Sequence, residues 1–556
     1  MENFQIAEAL SLLGKLSDIH GENSFKSKSY ASAAFALEKI TTPLATLTED
    51  KIAAIRGIGP STAKKILEML LTGKIVALEE LITKTPEGVL EMLQIKGIGP
   101  KKINTIWKEM EIESIGELLY ACKENRLKLY KGFGEKTQLN VIEAIEFYQK
   151  HQHHFLYAQA APLVPEVERL LRTILPEVPL LITGEFYRQM ETVTQLDFIV
   201  VASVNDVMQY LSKYPQMNYD HMADEVFIST TAGLKVHLIC CHAEQAVEQQ
   251  IKWSSSPDFF DALLNHGVIN DITILNEADF FISRNLPMIP AYMREEPQSI
   301  SLVSKQGLPA VIQTSDIKGI IHCHSNWSDG SHSVEEMAEA ARSRGLEYMV
   351  LSDHSQTAFY AQGLTPERVS AQHQLIDALN ERYTDFRIFK SIESDILNDG
   401  HLDYTPEILS TFDLVIASIH SNLKMNEDKA MMRLMKAIEN PYTSILGHLT
   451  GRLLLSRKGY PVDHDKIIDA CAANQVVIEL NAHPSRLDID WRYIKKALDK
   501  QVLISINPDA HITDGFDDIR YGVTVAQKAG VCAHENLSSF NLTDITAFVA
   551  EQKRKR

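Results

Sequence analysis

After residue 316 the chain alternates seven short apolar runs with amphipathic stretches, and six of those runs end in or beside a histidine or a carboxylate. The runs are GIIHCH, EYMVLSDH, RIFKSIES, LVIASIH, SILGH, VVIELNA and LISINPDAH, separated by segments such as SVEEMAEAARSR and DHDKIIDACAAN. Continuous apolar runs of this length, spaced by helical patterns, read as parallel strands buried on both faces. A parallel barrel carries its functional groups at the C-terminal ends of its strands, which is where the polar residues of these runs fall. The pattern predicts seven βα units with one functional rim.

In GIIHCHSNWSDG, His322 and His324 are two apart on a predicted strand, so both imidazoles should project from one face, and Asp329 follows in the turn. His354, Glu393, His420, His448, Asp509 and His511 end later runs. Any one of these histidines, taken alone, reads as a hydrogen-bonded core residue. Nine candidate ligands on one rim read as a metal site, and nine exceed the needs of one ion. Two or three divalent ions are therefore expected, with Glu393 able to bridge neighbours. Mixed imidazole and carboxylate ligation suits zinc, manganese or iron over calcium, with manganese and zinc preferred, and ligand type leaves the choice open. Such a cluster binds phosphate oxygens and activates a water near neutral pH. Phosphate-ester hydrolysis is the expected chemistry, carried by His322, His324, Glu393, His420, Asp509 and His511.

The 556 residues exceed what one core supports, so several domains are expected. No apolar run is long enough to span a bilayer, and MENFQIAEAL lacks the pattern of a secretory leader. Six cysteines lie scattered with no CxxC pair, which predicts reduced thiols and a cytoplasmic location. A net charge of −18 argues at first against nucleic acid as a partner. Residues 1–150, however, balance 20 basic against 20 acidic residues, so the excess lies beyond them.

Within those residues one phrase recurs: RGIGPSTAKKI at 56–66, KGIGPKKINTI at 96–106 and KGFGEKTQLNV at 131–141. A Gly-x-Gly turn that opens a helix offers backbone N–H groups and the helix N-terminus to a phosphate, so contact needs no basic patch. Glycines also simply punctuate helices. The recurrence favours DNA as partner, gapped, nicked or 3′-ended, held by amides at Gly57, Gly59, Gly97, Gly99, Gly132 and Gly134, with Lys64, Lys65, Lys101 and Lys102 adding charge. The domains expected are 1–85 and 86–150, both helical, then a small α/β unit at 151–285. A proline-bearing linker lying along a surface is expected at 286–315, before the barrel at 316–556.

The phrases HCHSNWSDG, SDHS, SIHS, LGHLTGRLL, IELNAHPSRLD and NPDAH, together with Glu393, resemble the polymerase and histidinol phosphatase (PHP) domain. That resemblance implies a distorted (β/α)7 barrel in which the nine residues above bind a trinuclear site. Asp353, Asn481 and Arg486 also fall in its pattern. The full order of elements resembles the bacterial family X DNA polymerases: helix-hairpin-helix domains, a nucleotidyltransferase palm and a PHP domain. In that family a lysine matching Lys65 can form a Schiff base with an abasic sugar.

The palm departs from its family. A polymerase palm holds two magnesium ions on three aspartates, in phrases of the form GS…ETVGDID and VDL. Here the phrases are GEFYRQMETVTQLD and KVHL. Asp197 remains, Gln195 and His237 stand at the other two positions, Glu185 replaces the serine, and SSS at 254–256 replaces TGS. One carboxylate does not hold two magnesium ions, so a degenerate palm without magnesium is expected. Three readings stay open at this point: a DNA 3′-end or abasic-site phosphoesterase, a gap-filling polymerase with PHP proofreading, and a non-catalytic DNA-end binder.

Overall fold

Apolar residues at three- and four-residue spacing build helices Asn3–Ile19 and Ser24–Leu37, which bury Ile6, Leu10, Leu13, Tyr30 and Ala33 against each other. The computed structural model describes residues 2–123, 127–150, 154–230, 233–267, 272–358, 361–455 and 458–556. It divides into two units, Met1–Gln152 and His153–Arg556. In the first, one apolar core runs from Ile6 to Ile145, so the segments expected as separate domains at 1–85 and 86–150 share their interior.

The second unit holds both remaining parts. Short strands β1 (Phe155–Leu156) and β3 (Thr192–Val193) pair with each other. Strands β2 (Leu180–Thr183), β4 (Gln195–Val200), β5 (Asn218–Met222), β6 (Glu225–Ser229) and β7 (Lys235–Cys240) form a sheet in the order β2-β4-β7-β6-β5. Only the β4 and β7 pair is parallel in it. This is the palm sheet.

The seven expected runs become β8 (Gly319–Cys323), β9 (Tyr348–Leu351), β10 (Arg387–Asp395), β11 (Leu414–Ser418), β12 (Ile445–Leu446), β13 (Val477–Asn481) and β14 (Ile504–Asn507). They pair in parallel, each with its sequence neighbour. A single parallel bridge between Cys323 and Ala510 brings the first and last strands together, so the barrel is nearly closed. Its strands are buried throughout, apart from the first part of β10.

The stretch 286–315, expected to be a surface linker, instead carries helix Gln298–Gln306 and belongs to a packed core. Leu286, Ile289, Met293, Ile300 and Val303 close over Phe259, Phe260 and Phe281. The four prolines hid this, because a short helix between prolines shows no long periodicity. Arg294 anchors it with no exposed surface, donating to Glu277 at 3.0 and 3.2 Å, to Ser254 Oγ at 2.7 Å and to the Ile289 carbonyl at 2.7 Å. Breaking a buried pair leaves a charge without compensation. Arg294→Ala should therefore lower the stability of the second unit by about 3–5 kcal/mol in urea unfolding, whereas a true linker would tolerate the change.

Candidate metal centre

Every strand of the barrel contributes to one rim at its C-terminal end, and Glu393 on β10 lies at the centre. Its Oε1 sits 3.3 Å from His322 Nε2, 3.1 Å from His420 Nε2 and 3.0 Å from His448 Nε2, and its Oε2 sits 2.9 Å from His354 Nδ1. Asp509 Oδ1 lies 3.2 Å from His324 Nε2 and 3.5 Å from His322 Nε2. Asp329 reaches His511 Nε2 at 3.4 Å and His354 Nε2 at 3.6 Å. Among the described residues three overlapping groups have the spacing to hold an ion: His324, Asp329, His354 and His511; His322, His324 and Asp509; and His354, Glu393 and His420. The structure brings all nine expected residues together, with His448 touching Glu393 from outside those groups.

The His322 and His324 pair arises differently from the simple strand alternation expected of it. A β-bulge interrupts β8 between Ile321 and Cys323, and His322 takes a left-handed backbone with φ of 64°. His324 lies past the strand, its N–H donating to the Ala510 carbonyl at 2.8 Å. A bulge re-aims side chains beside a site, and here it turns both rings inward, 5.4 Å between centroids. Asp509 opposite is also left-handed, φ 53°. Such backbone persists where its surroundings impose it.

Two buried carboxylates missed by the sequence reading hold the outer nitrogens of ligand histidines. Glu479 on β13 sits 2.6 Å from His322 Nδ1 and also accepts from the His448 N–H at 3.0 Å and from Asn507 Nδ2 at 2.7 Å. Asp395 sits 2.5 Å from His420 Nδ1. Each fixes its ring so that Nε2 faces Glu393, an arrangement that orients a histidine toward a metal. The available signal was an acid inside the otherwise apolar run VVIELNA, since a buried acid must be partnered. Asn481 donates to Asp509 at 3.1 Å, and Asp353 accepts from Ser325 N–H, Ser325 Oγ, Ser328 Oγ and Gln372, which sets the turn carrying Asp329. Arg486 Nε lies 3.6 Å from Asp509.

Burial disfavours every charge here, and pairing outweighs it. His420 is pulled down by burial but raised further by Glu393 and Asp395, to about 9. His322 and His354 rise well above the ordinary histidine value against the same burial, through Glu479, Asp509 and Glu393 in one case and Glu393 and Asp329 in the other. Glu393 and Asp509 end well below the carboxylate range although burial alone would raise them, because histidines surround both. His324 goes the other way, pushed down to about 3 by burial and by His511 and His354. The donor set fits divalent ions. His322 Nε2 and His324 Nδ1 are buried without a hydrogen-bond partner, positions a cation would satisfy.

The palm positions also meet. Gln195 Nε2 donates to Asp197 Oδ1 at 2.7 Å, and His237 Nδ1 lies 2.8 Å from the same oxygen. The other oxygen presses on Gly184, where φ is +73° and a Cβ would fall 1.9 Å from Asp197 Oδ2. His237 Nε2 faces Glu225 at 3.1 Å. Glu185 accepts from the Thr194 N–H and hydroxyl, both at 2.8 Å. Ser254 and Ser256 take structural roles, the first bonded to Arg294 and the second capping helix Pro257–Leu264.

In the first unit the three Gly-x-Gly turns share one backbone form. Gly57, Gly97 and Gly132 have φ of +97°, +89° and +92°. The residue between the glycines is buried and donates back three residues: Ile58 to Ile55 at 2.9 Å, Ile98 to Ile95 at 3.2 Å and Phe133 to Tyr130 at 3.1 Å. Gly59 and Gly99 cap helices that begin with proline, and a Cβ added at Gly59, Gly99 or Gly134 would meet nothing within 4 Å. The backbone at those glycines is thus open on the side where a side chain would stand. Lys64 and Lys101 are exposed and Lys65 and Lys102 half-buried beside them.

Two helix-hairpin-helix regions and a barrel bearing a His and carboxylate cluster define the class: a DNA-binding chain with a PHP domain. Family models agree, matching a helix-hairpin-helix domain at residues 1–75, a SAM-like helix-hairpin-helix tandem at 89–146 and a PHP domain at 321–483. The tandem includes the third glycine turn. The chain is 32% identical over 99% of both lengths to the DNA polymerase/3′-5′ exonuclease PolX of Bacillus subtilis. It is 25% identical to a probable phosphatase of Thermoanaerobacter over 43% of this chain and 98% of that protein, and 26% identical to one of Syntrophotalea carbinolica over 40% and 92%. The chain belongs to the PolX family, the bacterial family X DNA polymerases with a PHP domain. No described helix is long and apolar enough to cross a membrane.

Replacing Glu479 by Gln should weaken divalent-ion binding by about 10–100-fold, read by competition with a chromogenic chelator. An unchanged affinity would mean that His322 needs no such partner.

Proposed function

We propose that the barrel rim hydrolyses DNA phosphate esters, as a 3′-5′ exonuclease, 3′-phosphatase or abasic-site endonuclease, with the helix-hairpin-helix turns holding the DNA and the palm no longer polymerising. The observation that carries this reading is Glu393 surrounded by four imidazoles on a rim supplied by every barrel strand. His322, His324, Asp329, His354, Glu393, His420, His448, Asp509 and His511 would hold two or three divalent ions, manganese or zinc. Ions so held supply Lewis-acid charge at phosphorus and lower the pKa of a water. Asp329 and His511 are the more exposed members, about a third open, so the substrate phosphate enters on their side. Arg486 brings a cation to that edge, and Glu479, Asp395 and Asp353 keep rings and turn in place.

The palm supports the negative half of the reading. Protein donors already occupy the Asp197 oxygen that would face a cation, and no second carboxylate stands beside it on β4 or β7. Of the activities named for the relatives, 3′-5′ exonuclease and phosphatase are hydrolyses that suit the rim, whereas polymerase would need the palm.

Ligand histidines must lose their protons to bind metal. His420 is raised to about 9, with His322 and His354 raised as well, so protons compete with ions throughout the neutral range. Ion affinity should therefore climb as pH rises from 7 toward 9, with protons released on binding. Calorimetry in two buffers of different ionisation enthalpy measures that release, and a flat profile would contradict these directions.

The deciding assay is a denaturing gel on a 5′-labelled, one-nucleotide-gapped duplex with manganese, with and without deoxynucleotides. Shortening that His322→Ala abolishes supports the hydrolase. Nucleotide-dependent lengthening would restore the polymerase reading and overturn that of Gln195 and His237. In a native gel shift on the same duplex, Gly59→Ala and Gly99→Ala should weaken DNA binding without unfolding the helices, because the added Cβ meets no protein atom within 4 Å.

A further inference from the structure

Inside the second unit, the junction between palm and barrel is tied more closely than two independent domains require. The loop after β13, residues 483–490, presents Arg486 to Asp509. On the barrel side Arg452 donates to the carbonyls of Arg486 and Leu487, and Asp488 accepts from the Thr450 N–H at 2.9 Å. On the other side Pro484 and Leu487, with Tyr521 and Val525, close on Tyr157 and Met190 of the palm. The residual cavity is about 10 Å³, at the lower limit for one water.

Charge locks the same contact. Arg492 Nη1 lies 3.2 Å from the buried Glu191 of the palm and 2.9 Å from Asp490 at the end of the loop. The Glu191 carbonyl accepts from the Tyr157 N–H at 3.0 Å, and Tyr157 stacks on Phe186 at 4.7 Å. Leu487 on the barrel side and Gln189 on the palm side both have left-handed backbone, φ 43° and 57°, which ordinary residues keep only where the surroundings dictate it. Nearby, Lys528 of the barrel is wholly buried, and its ammonium rests on the Arg188 carbonyl at 2.7 Å and on Glu295 at 3.2 Å. Both of these partners lie before residue 316. A buried lysine stripped of such partners is strongly unfavourable, so the barrel depends on the palm to complete this face.

We propose that the palm is a positioning element of the hydrolase: Glu191, through Arg492 and the packing on Leu487, holds the loop 483–490 so that Arg486 stays beside Asp509. This goes beyond the hydrolase reading and rests on it. It gives the altered palm a role that does not need its own metals, and it makes Glu191 a positioning residue that acts through Arg486.

The test uses the full chain with Glu191→Lys, which repels Arg492, and Glu191→Gln, which keeps the shape and removes the charge. Hydrogen exchange read by mass spectrometry should show residues 483–490 opening about tenfold faster in Glu191→Lys, with the barrel strands unchanged and the Gln variant between. On gapped DNA, kcat for shortening should fall about tenfold while KM holds, and in an Arg486→Ala background the same change should cost less than about twofold. Unchanged exchange in the loop would overturn the proposal, as would an equal loss of kcat in both backgrounds. Faster loop exchange in a chain that never shortens DNA would instead sink the hydrolase reading and leave the clamp standing.

Discussion

The barrel depends on one interaction: a fully buried carboxylate, Glu393, surrounded by four imidazoles. A lone buried carboxylate would sit protonated. Here it is held ionised because His322, His354 and His420 carry protons beside it, and those three keep their protons because Glu479, Asp395, Asp509 and Asp329 also face them. Carboxylates thus alternate with imidazoles across the rim, and the whole can trade protons for cations with little rearrangement of its side chains. That explains why the acidic residues of a chain with net charge −18 lie partly inside the protein rather than on a surface that repels DNA.

The palm and the glycine turns solve related charge problems by other means. In the palm, Gln195 and His237 meet Asp197 Oδ1 at 2.7 and 2.8 Å, so that carboxylate has polar partners without metal. In the first unit the groups proposed to meet phosphate are backbone amides, at positive-φ glycine turns followed by a helix start. Amides and helix dipoles attract phosphate without a net basic patch, which is why the even charge balance of residues 1–150 is compatible with a polyanionic partner.

Much of this was legible in the sequence, for a physical reason. Parallel barrel strands are short and wholly apolar until they reach the rim, so an apolar run that stops at a histidine announces both a strand and its functional end. All seven strands followed from that rule, while the nine rim residues came from the histidines and carboxylates at the strand ends and, for Asp329, in the turn after the first strand. What it missed lies where geometry departs from regular alternation. The bulge at His322 brings both rings inward by a left-handed backbone rather than by strand alternation, and Glu479 sits within the apolar part of its run rather than at the end. The stretch 286–315 failed differently: prolines at both ends of a nine-residue helix mask its period, and Arg294, a charge that reads as exposed, is wholly buried.

The same buried cation helps to hold the segment that joins the palm to the barrel. Arg294 ties the segment before the barrel to Glu277 and Ser254, and the next residue, Glu295, compensates both Arg188 and Lys528. A substitution at Gln195 or His237 leaves those ties intact, since it alters one buried hydrogen-bonded cluster within the sheet. Deleting the palm would instead take from Lys528 the Arg188 carbonyl it rests on. The ties that hold the palm to the barrel, through Glu191 and Glu295, are thus separate from the cluster around Asp197.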